Sequence, residues 1–273
     1  MEAITLRSFA KINPFLAVGE KRADGYHEVR TKLQAVSLHD RITISPSNQL
    51  EIECSDANLS GEKNLAWKAL RLLSEAIDLP AAKICISKEI PMMAGLGGGS
   101  SNAGFLLRAM NRLMGKPVSS RDLSEIALAC GADVTFFASG MASAWATGVG
   151  EKLTHADQHD VFHLVIAMPR TGVASAAGYA ALDRLERTIN LEGDPFRNDF
   201  ELVAPRGSLD LIERLTHLGA VHAMLTGSGS AVIGVARNEA HAEELHLHIR
   251  DFAAWSDVSK TLTQEELDEQ WMC

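Results

Sequence analysis

The most informative segment of the chain reads Pro91-Met92-Met93-Ala94-Gly95-Leu96-Gly97-Gly98-Gly99-Ser100-Ser101. It follows a strand pattern in which Ile84 and Ile86 share one face, and it precedes a helix pattern with apolar residues over 106–113. Adjacent glycines let a ligand approach the backbone closely, and a helix N-terminus leaves amide donors unpaired and favours negative charge. The segment therefore predicts a phosphate-binding loop built from backbone amides, to which Ser100 and Ser101 add hydroxyls.

The familiar phosphate-binding loops do not match this segment. A Walker A loop requires Lys after its last glycine, whereas Ser100 follows Gly99. A dinucleotide-binding fingerprint that starts at Gly95 requires Gly or Ala where Ser100 again stands. An ordinary tight turn between a strand and a helix remains the alternative, although three adjacent glycines cost considerable chain entropy on folding.

Composition and charge exclude several classes of protein. The chain has 273 residues, of which 46% are hydrophobic, 22% charged and 5% aromatic, and its formal net charge is −9. A disordered chain, a collagen and a disulfide-stabilised miniprotein do not fit these values. An acidic surface of mixed charge also argues against nucleic acid as the main partner, because binding to phosphate backbones needs clustered Lys and Arg.

The cysteines and the hydrophobic pattern favour a soluble cytoplasmic protein. Cys54, Cys85, Cys130 and Cys273 form no CxxC pair, so we expect free thiols in a reducing compartment rather than zinc ligands or disulfides. Residues 1–7 lack the features of a secretory signal. No stretch approaches the roughly 18 uninterrupted apolar residues of a membrane span, so we expect no membrane association.

The first half of the chain reads as strands followed by helices. We predict one strand over 10–13, in which Pro14 indicates either an edge strand or the end of the strand, a second over 26–38 and a third over 41–44. Asn64 is a predicted helix N-cap, and Ser119 with Asp122 resembles a capping box for a helix that ends at Gly131. These elements indicate a first domain that contains both the strands and the glycine-rich segment.

The pattern resets near residue 156, after the polar run that spans 154–160. We predict strands at 161–168, 223–225, 231–235 and 253–260, and helices at 175–187, 209–218 and 238–250. This alternation is typical of an α+β sandwich with helices on one face of a sheet. We therefore predict two domains, 1–155 and 156–273, with a boundary near His155.

Three ordered motifs carry a resemblance to a known family. They are Ser8-Phe9-Ala10-Lys11-Ile12-Asn13, the segment 91–101 and Thr226-Gly227-Ser228-Gly229-Ser230. Shorter matches are Arg22-Ala23-Asp24-Gly25-Tyr26-His27, Gly131-Ala132-Asp133-Val134, Gly148-Val149-Gly150-Glu151 and Arg197-Asn198-Asp199. In order and spacing, these motifs resemble those of the GHMP small-molecule kinases over residues 8–235.

The resemblance implies a two-domain GHMP kinase-like fold, α+β overall, with an α/β N-terminal domain, a ferredoxin-like C-terminal domain and the site in the cleft. It implies that Lys11 and Asp133 are the catalytic pair, with Asp133 beside the acceptor hydroxyl. Every residue from Pro91 to Ser101 would wrap the phosphates of ATP. Mg²⁺ would bridge phosphate oxygens and contact Ser101.

Together, the four shorter matches narrow the resemblance to members whose acceptor is a cytidine diphosphate-linked methylerythritol, a small-molecule precursor of isoprenoids. It implies ATP-dependent phosphorylation of the 2-hydroxyl of that acceptor. Asn13, Tyr26 and His27 would hold the cytidine diphosphate part, with the ring of Tyr26 stacked on cytosine. Tyr179 stands where members often place a second aromatic ring for that stack. The sequence leaves the oligomeric state open.

The chain departs from the family pattern at Met93, where glycine is usual, at Asn102, where Asp is frequent, and at Thr135, where Pro is frequent. None of these departures removes a catalytic group. Structural roles stay open as alternatives for Asp133 as a helix N-cap and for Lys11 as a solvated strand residue.

Further alternatives concern other residues and the function itself. His27 also fits a surface or core position, and the segment 227–229 also fits a plain hairpin turn. Another GHMP kinase, acting on homoserine, mevalonate or a sugar, is one competing function, and the segment 22–27 argues against it. A non-catalytic ligand sensor is the other, but such a protein is expected to have lost Lys11, Asp133 or the glycine-rich segment.

Overall fold

The computed structural model describes residues 2–115, 118–157, 161–170, 175–193 and 195–272. Cys273 and the end of the polar run 154–160 lie outside the described residues. The strands are β1 (Ile4–Lys21), β2 (His27–Pro46), β3 (Glu51–Cys54), β4 (Ala82–Ser87), β5 (Ser143–Thr147), β6 (Lys152–His155), β7 (His163–Met168), β8 (Arg197–Asn198), β9 (His222–Leu225), β10 (Val232–Ala236) and β11 (Trp255–Lys260). The α-helices are α1 (Leu65–Ser74), α2 (Gly98–Leu113), α3 (Ser120–Cys130), α4 (Ala132–Ser139), α5 (Ser175–Leu182), α6 (Arg206–His217), α7 (Glu239–Ile249) and α8 (Gln264–Gln270). Short 3-10 helices span Ala57–Leu59, Gly61–Lys63 and Asp199–Val203.

The larger sheet is built around the long antiparallel pair of β1 and β2, in which Ile4 lies opposite Ile44 and Lys21 lies opposite His27. Its strands follow the order β3-β4-β2-β1-β8, and β5 pairs with both β2 and β6. Burial alternates along much of β2, so one of its faces enters a core, whereas β1 is buried on both faces from residue 8 to residue 19. The pair thus forms the frame on which the other elements pack.

The predicted ends of the first strands are wrong. β1 does not end at Pro14 but continues to Lys21, with a register irregularity between Ile12 and Phe15. Pro14 sits in that irregularity, where its missing N–H breaks no ladder hydrogen bond. β2 is also one strand rather than two, because Asp40 is buried and hydrogen-bonded instead of forming a turn.

Helices α1 to α4 pack against one face of the larger sheet and form the main hydrophobic core, which includes Phe9, Phe105 and Phe136. The predicted caps are confirmed: Asn64 accepts a hydrogen bond from the N–H of Ala66, and Ser119 accepts one from the N–H of Asp122. Helix α4 was not predicted, since Gly131, which ends α3, also serves as its N-cap.

The smaller sheet is antiparallel, with strand order β11-β7-β10-β9. Helices α6 and α7 cover one face, where Leu215 and Leu245 are buried, which confirms the predicted α+β arrangement. On the other face, Ile166 and Ile233 pack with Ile12 of β1 and with Leu96 of the glycine-rich segment. The two sheets therefore share a core directly behind that segment.

The predicted domain boundary near His155 falls between β6, in the larger sheet, and β7, in the smaller one. The division at residue 155 stays a prediction, because β8 comes later in the chain and yet pairs with β1, Arg197 lying opposite Phe15. Within the described residues, no helix has the length and apolar character needed to cross a membrane.

Candidate active site

Lys11 and Asp133 meet at the centre of the cleft. Lys11 Nζ on β1 lies 3.6 Å from Asp133 Oδ2 and donates a hydrogen bond to Asn13 Oδ1 at 2.6 Å. The side chain of Lys11 is 4% exposed, whereas that of Asp133 is 45% exposed. Gly131, not Asp133, is the N-cap of α4, and Asp133 lies in the first helical turn. The structural alternatives for both residues therefore lose their support.

The glycine-rich segment turns tightly beside this pair. Gly95 and Gly97 have positive φ angles of 79° and 72°, and Gly97 is the N-cap of α2. A Cβ at Gly97 would lie 3.3 Å from Cε of Lys11, so the helix N-terminus opens next to the ammonium group. Met93 also has a positive φ, 54°, which is a conformation that favours the glycine usual at this position.

The segment 226–230 docks onto the glycine-rich segment. It forms the β9–β10 hairpin expected from the sequence, but it also reaches the site. The N–H of Ala231 donates to the carbonyl of Ala94, and the N–H of Asn13 donates to Thr226 Oγ1 at 2.9 Å. A Cβ at Gly95 would lie only 2.4 Å from the carbonyl oxygen of Thr226, so the two turns are in direct contact.

A second cluster lines the other end of the cleft. The ring of Tyr179 stacks on the ring of His27, with centroids 4.9 Å apart and planes 19° apart. Tyr26 is 64% exposed at the rim. Burial, and then the nearby charge of Asp133, raise the pKa of Tyr179 to about 12, so its phenol stays protonated at neutral pH. The predicted aromatic residues are together, although Tyr179 stacks on His27 rather than facing Tyr26.

These groups line one cavity of about 590 Å³, which is within the usual size of a small-molecule site. Its walls include Lys11, Asn13, Tyr26, His27, Gly95, Ser100, Asp133, Tyr179, Asp183 and Gly227. The cavity thus combines an amide-rich helix start, a carboxylate–ammonium pair and an aromatic end. That arrangement suits an anionic ligand at one end and a flat ring at the other.

Ser101 does not reach this cavity. It is fully buried, and its hydroxyl donates to the carbonyl of Phe9 at 2.6 Å, while Ser100 lines the cavity instead. This corrects the expected Mg²⁺ contact of Ser101. Among the described residues, no cluster of His, Cys, Asp or Glu could hold a metal ion by itself. A cation that keeps most of its waters and is carried by substrate phosphates still fits such a site.

Asn102 has a structural role behind the glycine-rich segment. Its side chain donates to Asp40 Oδ2 at 2.8 Å and to Ser8 Oγ at 2.8 Å. Asp40 also pairs with Lys88 and accepts hydrogen bonds from the N–H groups of Glu89 and Ile90. The buried carboxylate therefore joins the chain before the segment to the helix after it.

Sequence reasoning missed two contributors to the site. Asp183 Oδ1 lies 2.6 Å from His27 Nε2, and its Oδ2 lies 3.0 Å from Lys21 Nζ. Asn198 donates to the carbonyls of Leu225 and Gly227 and so supports the second turn. Asp183 carries no sequence signal, because its partners are more than 150 residues away along the chain. Asn198 lies in the matched motif 197–199, which could have marked it.

Comparison with known sequences gives the family of the chain. The description GHMP kinases N terminal domain matches residues 64–142, and GHMP kinases C terminal matches residues 181–254. A 4-diphosphocytidyl-2-C-methyl-D-erythritol kinase from Geobacter metallireducens is 36% identical over 277 residues, which cover 95% of this chain and 98% of that protein. A protein of the same name from Desulfitobacterium hafniense is 33% identical over 263 residues, covering 89% and 90%.

Comparison with solved structures gives the same family as comparison with sequences. A crystal structure of 4-(cytidine 5'-diphospho)-2C-methyl-D-erythritol kinase has a TM-score of 0.80 and 30% identity, covering 94% of this chain and 98% of the other. A mevalonate kinase structure with 16% identity has a TM-score of 0.72, covers 96% and 100% of the two chains and shares the fold. The chain therefore belongs to the GHMP kinases, small-molecule phosphotransferases with this two-domain α+β fold. Within that family it falls among the proteins named 4-diphosphocytidyl-2-C-methyl-D-erythritol kinase.

Proposed function

We propose that this protein transfers the γ-phosphoryl group of ATP to the 2-hydroxyl of 4-diphosphocytidyl-2-C-methyl-D-erythritol, giving the 2-phosphate and ADP, in the non-mevalonate route to isoprenoid precursors. One observation carries the proposal: the pair of Lys11 and Asp133 lies in the same cavity as the glycine-rich helix start. The names of the relatives supply the acceptor. A cytoplasmic location belongs to the same proposal and is supported by the unpaired thiols of Cys54, Cys85 and Cys130.

The ATP end of the site is supported by the start of α2. Phosphoryl transfer needs an in-line acceptor and donors aimed at the phosphate charge, and it asks little covalent work of the protein. The first N–H groups of a helix have no partner within it, and Ser100 of the first turn of α2 lines the cavity together with Gly95. The segment from Pro91 to Ser100 would therefore wrap the β- and γ-phosphates, with Ser101 supporting it from the core.

Mg²⁺ is part of the proposal as a partner of ATP. When bound, it supplies positive charge to the phosphate oxygens. The residues fit this use, since Ser100 lines the cavity at the helix start and Asp133 is half-exposed nearby. For the Mg²⁺–ATP complex, the protein would therefore provide the polar start of α2 rather than a set of acidic metal ligands.

Asp133 would accept the proton of the acceptor hydroxyl, or orient that hydroxyl for attack. Lys11 supports this role because its buried ammonium lies 3.6 Å from the carboxylate and forms an ion pair with it. Asn13 holds Lys11 in place at 2.6 Å and is itself held, since its Nδ2 donates to Thr31 Oγ1 at 2.8 Å. Lys11 is therefore positioned by buried hydrogen bonds before any substrate binds.

The aromatic end would take the cytosine base. A flat ring beside a hydrogen-bonding edge is what a pyrimidine base needs, and Tyr26, His27 and Tyr179 provide both. The exposed ring of Tyr26 is free to close on the base, whereas Tyr179 is held between His27 and Phe200. Asn13 lies between this end and the catalytic pair, so it can contact the diphosphate part.

Release of ADP, measured with and without the cytidylated acceptor, tests the proposed function. We expect ADP release that depends on this acceptor and is much slower with homoserine, mevalonate or free sugars. Acceptor-independent ADP release, or a preference for another alcohol, would contradict the proposal. Nucleotide binding without any turnover would instead favour the ligand sensor.

A further inference from the structure

The base end of the cavity contains a carboxylate that the reaction described above does not use. Asp183 follows α5, and its two oxygens have different partners: Oδ1 lies 2.6 Å from His27 Nε2 and Oδ2 lies 3.0 Å from Lys21 Nζ. All three residues line the cavity. His27 is buried, and Tyr179 covers one face of its ring, so the imidazole is fixed in both position and orientation.

The carboxylate decides which nitrogen of His27 carries the proton. Hydrogen bonds from His27 first, and then from Lys21, hold the pKa of Asp183 below its ordinary value, so Asp183 is ionised and can only accept. Nε2 of His27 must therefore carry the hydrogen between them. A neutral imidazole has a single N–H, so Nδ1 is an acceptor. No hydrogen bond between described residues uses this Nδ1.

We propose that Asp183 is a positioning residue that sets the base specificity of the acceptor, by holding His27 in the tautomer whose Nδ1 accepts a hydrogen bond from the 4-amino group of cytosine. The base edges explain the selectivity: cytosine presents an amino donor at this position, whereas uracil presents a carbonyl acceptor. Two acceptors that face each other lose a hydrogen bond and leave polar atoms unpaired. The inference rests on the proposed function and names the residue that chooses the base.

The aromatic residues cannot make this choice. Stacking on Tyr26 or Tyr179 tolerates any base, because every base has a π face. Lys21 is also separable from the mechanism, since it contacts the other oxygen of Asp183 and its side chain is 57% exposed. Its removal leaves the contact between Oδ1 and His27 in place. Base selection is therefore assigned to Asp183 acting through His27.

The test compares kcat/KM for cytidine diphosphate- and uridine diphosphate-linked acceptors, with the full chain. The unmodified protein is expected to prefer the cytidine form. Asp183→Leu is expected to reduce that preference at least about tenfold, because the imidazole can then expose either nitrogen, and to change the KM for ATP less than about twofold. Tyr26→Ala is the matched control: it should weaken both acceptors and keep the preference. Lys21→Met should keep it too.

The outcomes separate this inference from the proposed function. If the unmodified protein phosphorylates neither acceptor, the proposed function fails. If it prefers cytidine and Asp183→Leu keeps the full preference, only the role of Asp183 is overturned. An equal loss of preference in Tyr26→Ala would likewise overturn it, because stacking would then carry the selection.

A direct measurement of the tautomer in the unmodified protein does not depend on the stability of Asp183→Leu. Nitrogen-15 NMR of histidine-labelled protein, with His27→Gln to assign the signal, reports which ring nitrogen is protonated. In the neutral imidazole we expect the hydrogen on Nε2 and a bare Nδ1, and a mixture of tautomers in Asp183→Leu. A proton on Nδ1 in the unmodified protein contradicts the inference, whatever the kinetics.

Discussion

The two proposed catalytic residues, Lys11 and Asp133, differ in how firmly the surrounding structure holds them. Lys11 is buried, bonded to Asn13 and packed under Gly97, whereas Asp133 is half-exposed and has only Lys11 as an ion-pair partner among the described residues. A fixed cation beside an accessible carboxylate is what an acceptor hydroxyl requires, because the proton must leave along an open path. The asymmetry also means that Asp133 can be changed without disturbing the core.

Asp133→Asn is expected to leave the protein folded and to slow turnover at least about a hundredfold, or roughly 3 kcal/mol of barrier, since the amide cannot take the acceptor proton. The measurement is kcat together with the thermal unfolding midpoint. Asp122→Asn, at the start of α3 and away from the cavity, is the matched control. Near-normal kcat in Asp133→Asn would remove Asp133 from the catalytic pair.

Tyr26→Ala is expected to raise the KM of the cytidylated acceptor about tenfold, because one stacked base contributes roughly 1–3 kcal/mol. The KM for ATP should stay nearly constant, since Tyr26 belongs neither to the glycine-rich segment nor to α2. Phe252→Ala removes another exposed aromatic ring, outside this cavity, and should change neither constant. Equal effects on both substrates would argue against a role in base binding.

For individual residues, the sequence predicted those that belong to short motifs. It did not predict Asp183, whose role depends on contacts between distant segments of the chain. Lys11, Asn13 and Asp133 came from short patterns whose resemblance could be stated. Asp183 acts only because folding brings it to His27 and Lys21, and no local pattern records that contact. The sequence also could not tell which of the two neighbouring serines lines the cavity. The rotation of the first turn of α2 decides this: Ser100 lines the cavity, whereas the hydroxyl of Ser101 donates to the carbonyl of Phe9.

Among the elements, the glycine-rich segment is the most constrained by its neighbours. Gly95 touches the turn after β9, while Gly99 in the first turn of α2 has open space where a Cβ would be. The two glycines look alike in the sequence, yet only Gly95 has both a positive φ and a close backbone contact.

Gly95→Ala is therefore expected to lower the free energy of unfolding by at least about 2 kcal/mol, because strain at positive φ adds to a clash with Thr226. Gly99→Ala is expected to raise it by up to about 1 kcal/mol, since Ala favours the helix more than Gly. Urea denaturation of both variants checks the difference. A Gly95→Ala variant as stable as Gly99→Ala would show that the two turns are not in tight contact.

Elements with a strong local signal were predictable. The caps of α1 and α3 followed from Asn64 and Ser119, and the strands and helices of the smaller sheet followed from periodicity. β8 was missed because a strand of two residues has no period, and its pairing with β1 is decided by tertiary packing. α8 has a complete capping box, Thr263 with Glu266, and this signal was available in the sequence.

For the whole molecule, one buried carboxylate ties the late part of the chain to the first strand. Asp199 accepts hydrogen bonds from the N–H of Val18 at 2.9 Å and from Arg197 Nε at 3.0 Å, and it lies 3.4 Å from Arg187. Arg187 also donates to the carbonyl of Val18. The cluster holds the chain after α5, and with it the base end of the cavity, against β1.

Asp199→Ala is expected to lower the free energy of unfolding by about 3 kcal/mol, since it leaves two partly buried guanidinium groups without their carboxylate. Asp210→Ala removes the partner of Arg206 in an exposed helical pair and should cost about 0.5 kcal/mol or less. Chemical denaturation of the two variants gives the comparison. Equal and small effects would mean that the Asp199 cluster does not hold the chain after α5 against β1.

The overall α+β architecture was predictable because the hydrophobic pattern and the family motifs agree along most of the chain. The shared core of the two sheets could not be predicted from the sequence. Nothing in the sequence around Ile12, Leu96 and Ile233 indicates that these side chains contact one another. Hydrophobic contact has no direction, so packing between distant elements is set by the shape of the folded chain.

The contact between the turn at Thr226 and the glycine-rich segment also bears on the order of biosynthesis. Ala94 accepts a hydrogen bond from Ala231, and Asn13 donates one to Thr226. A nascent chain therefore lacks a complete nucleotide pocket until residue 231 has emerged from the ribosome. A ligand of this pocket can therefore stabilise only chains that already include the turn at Thr226.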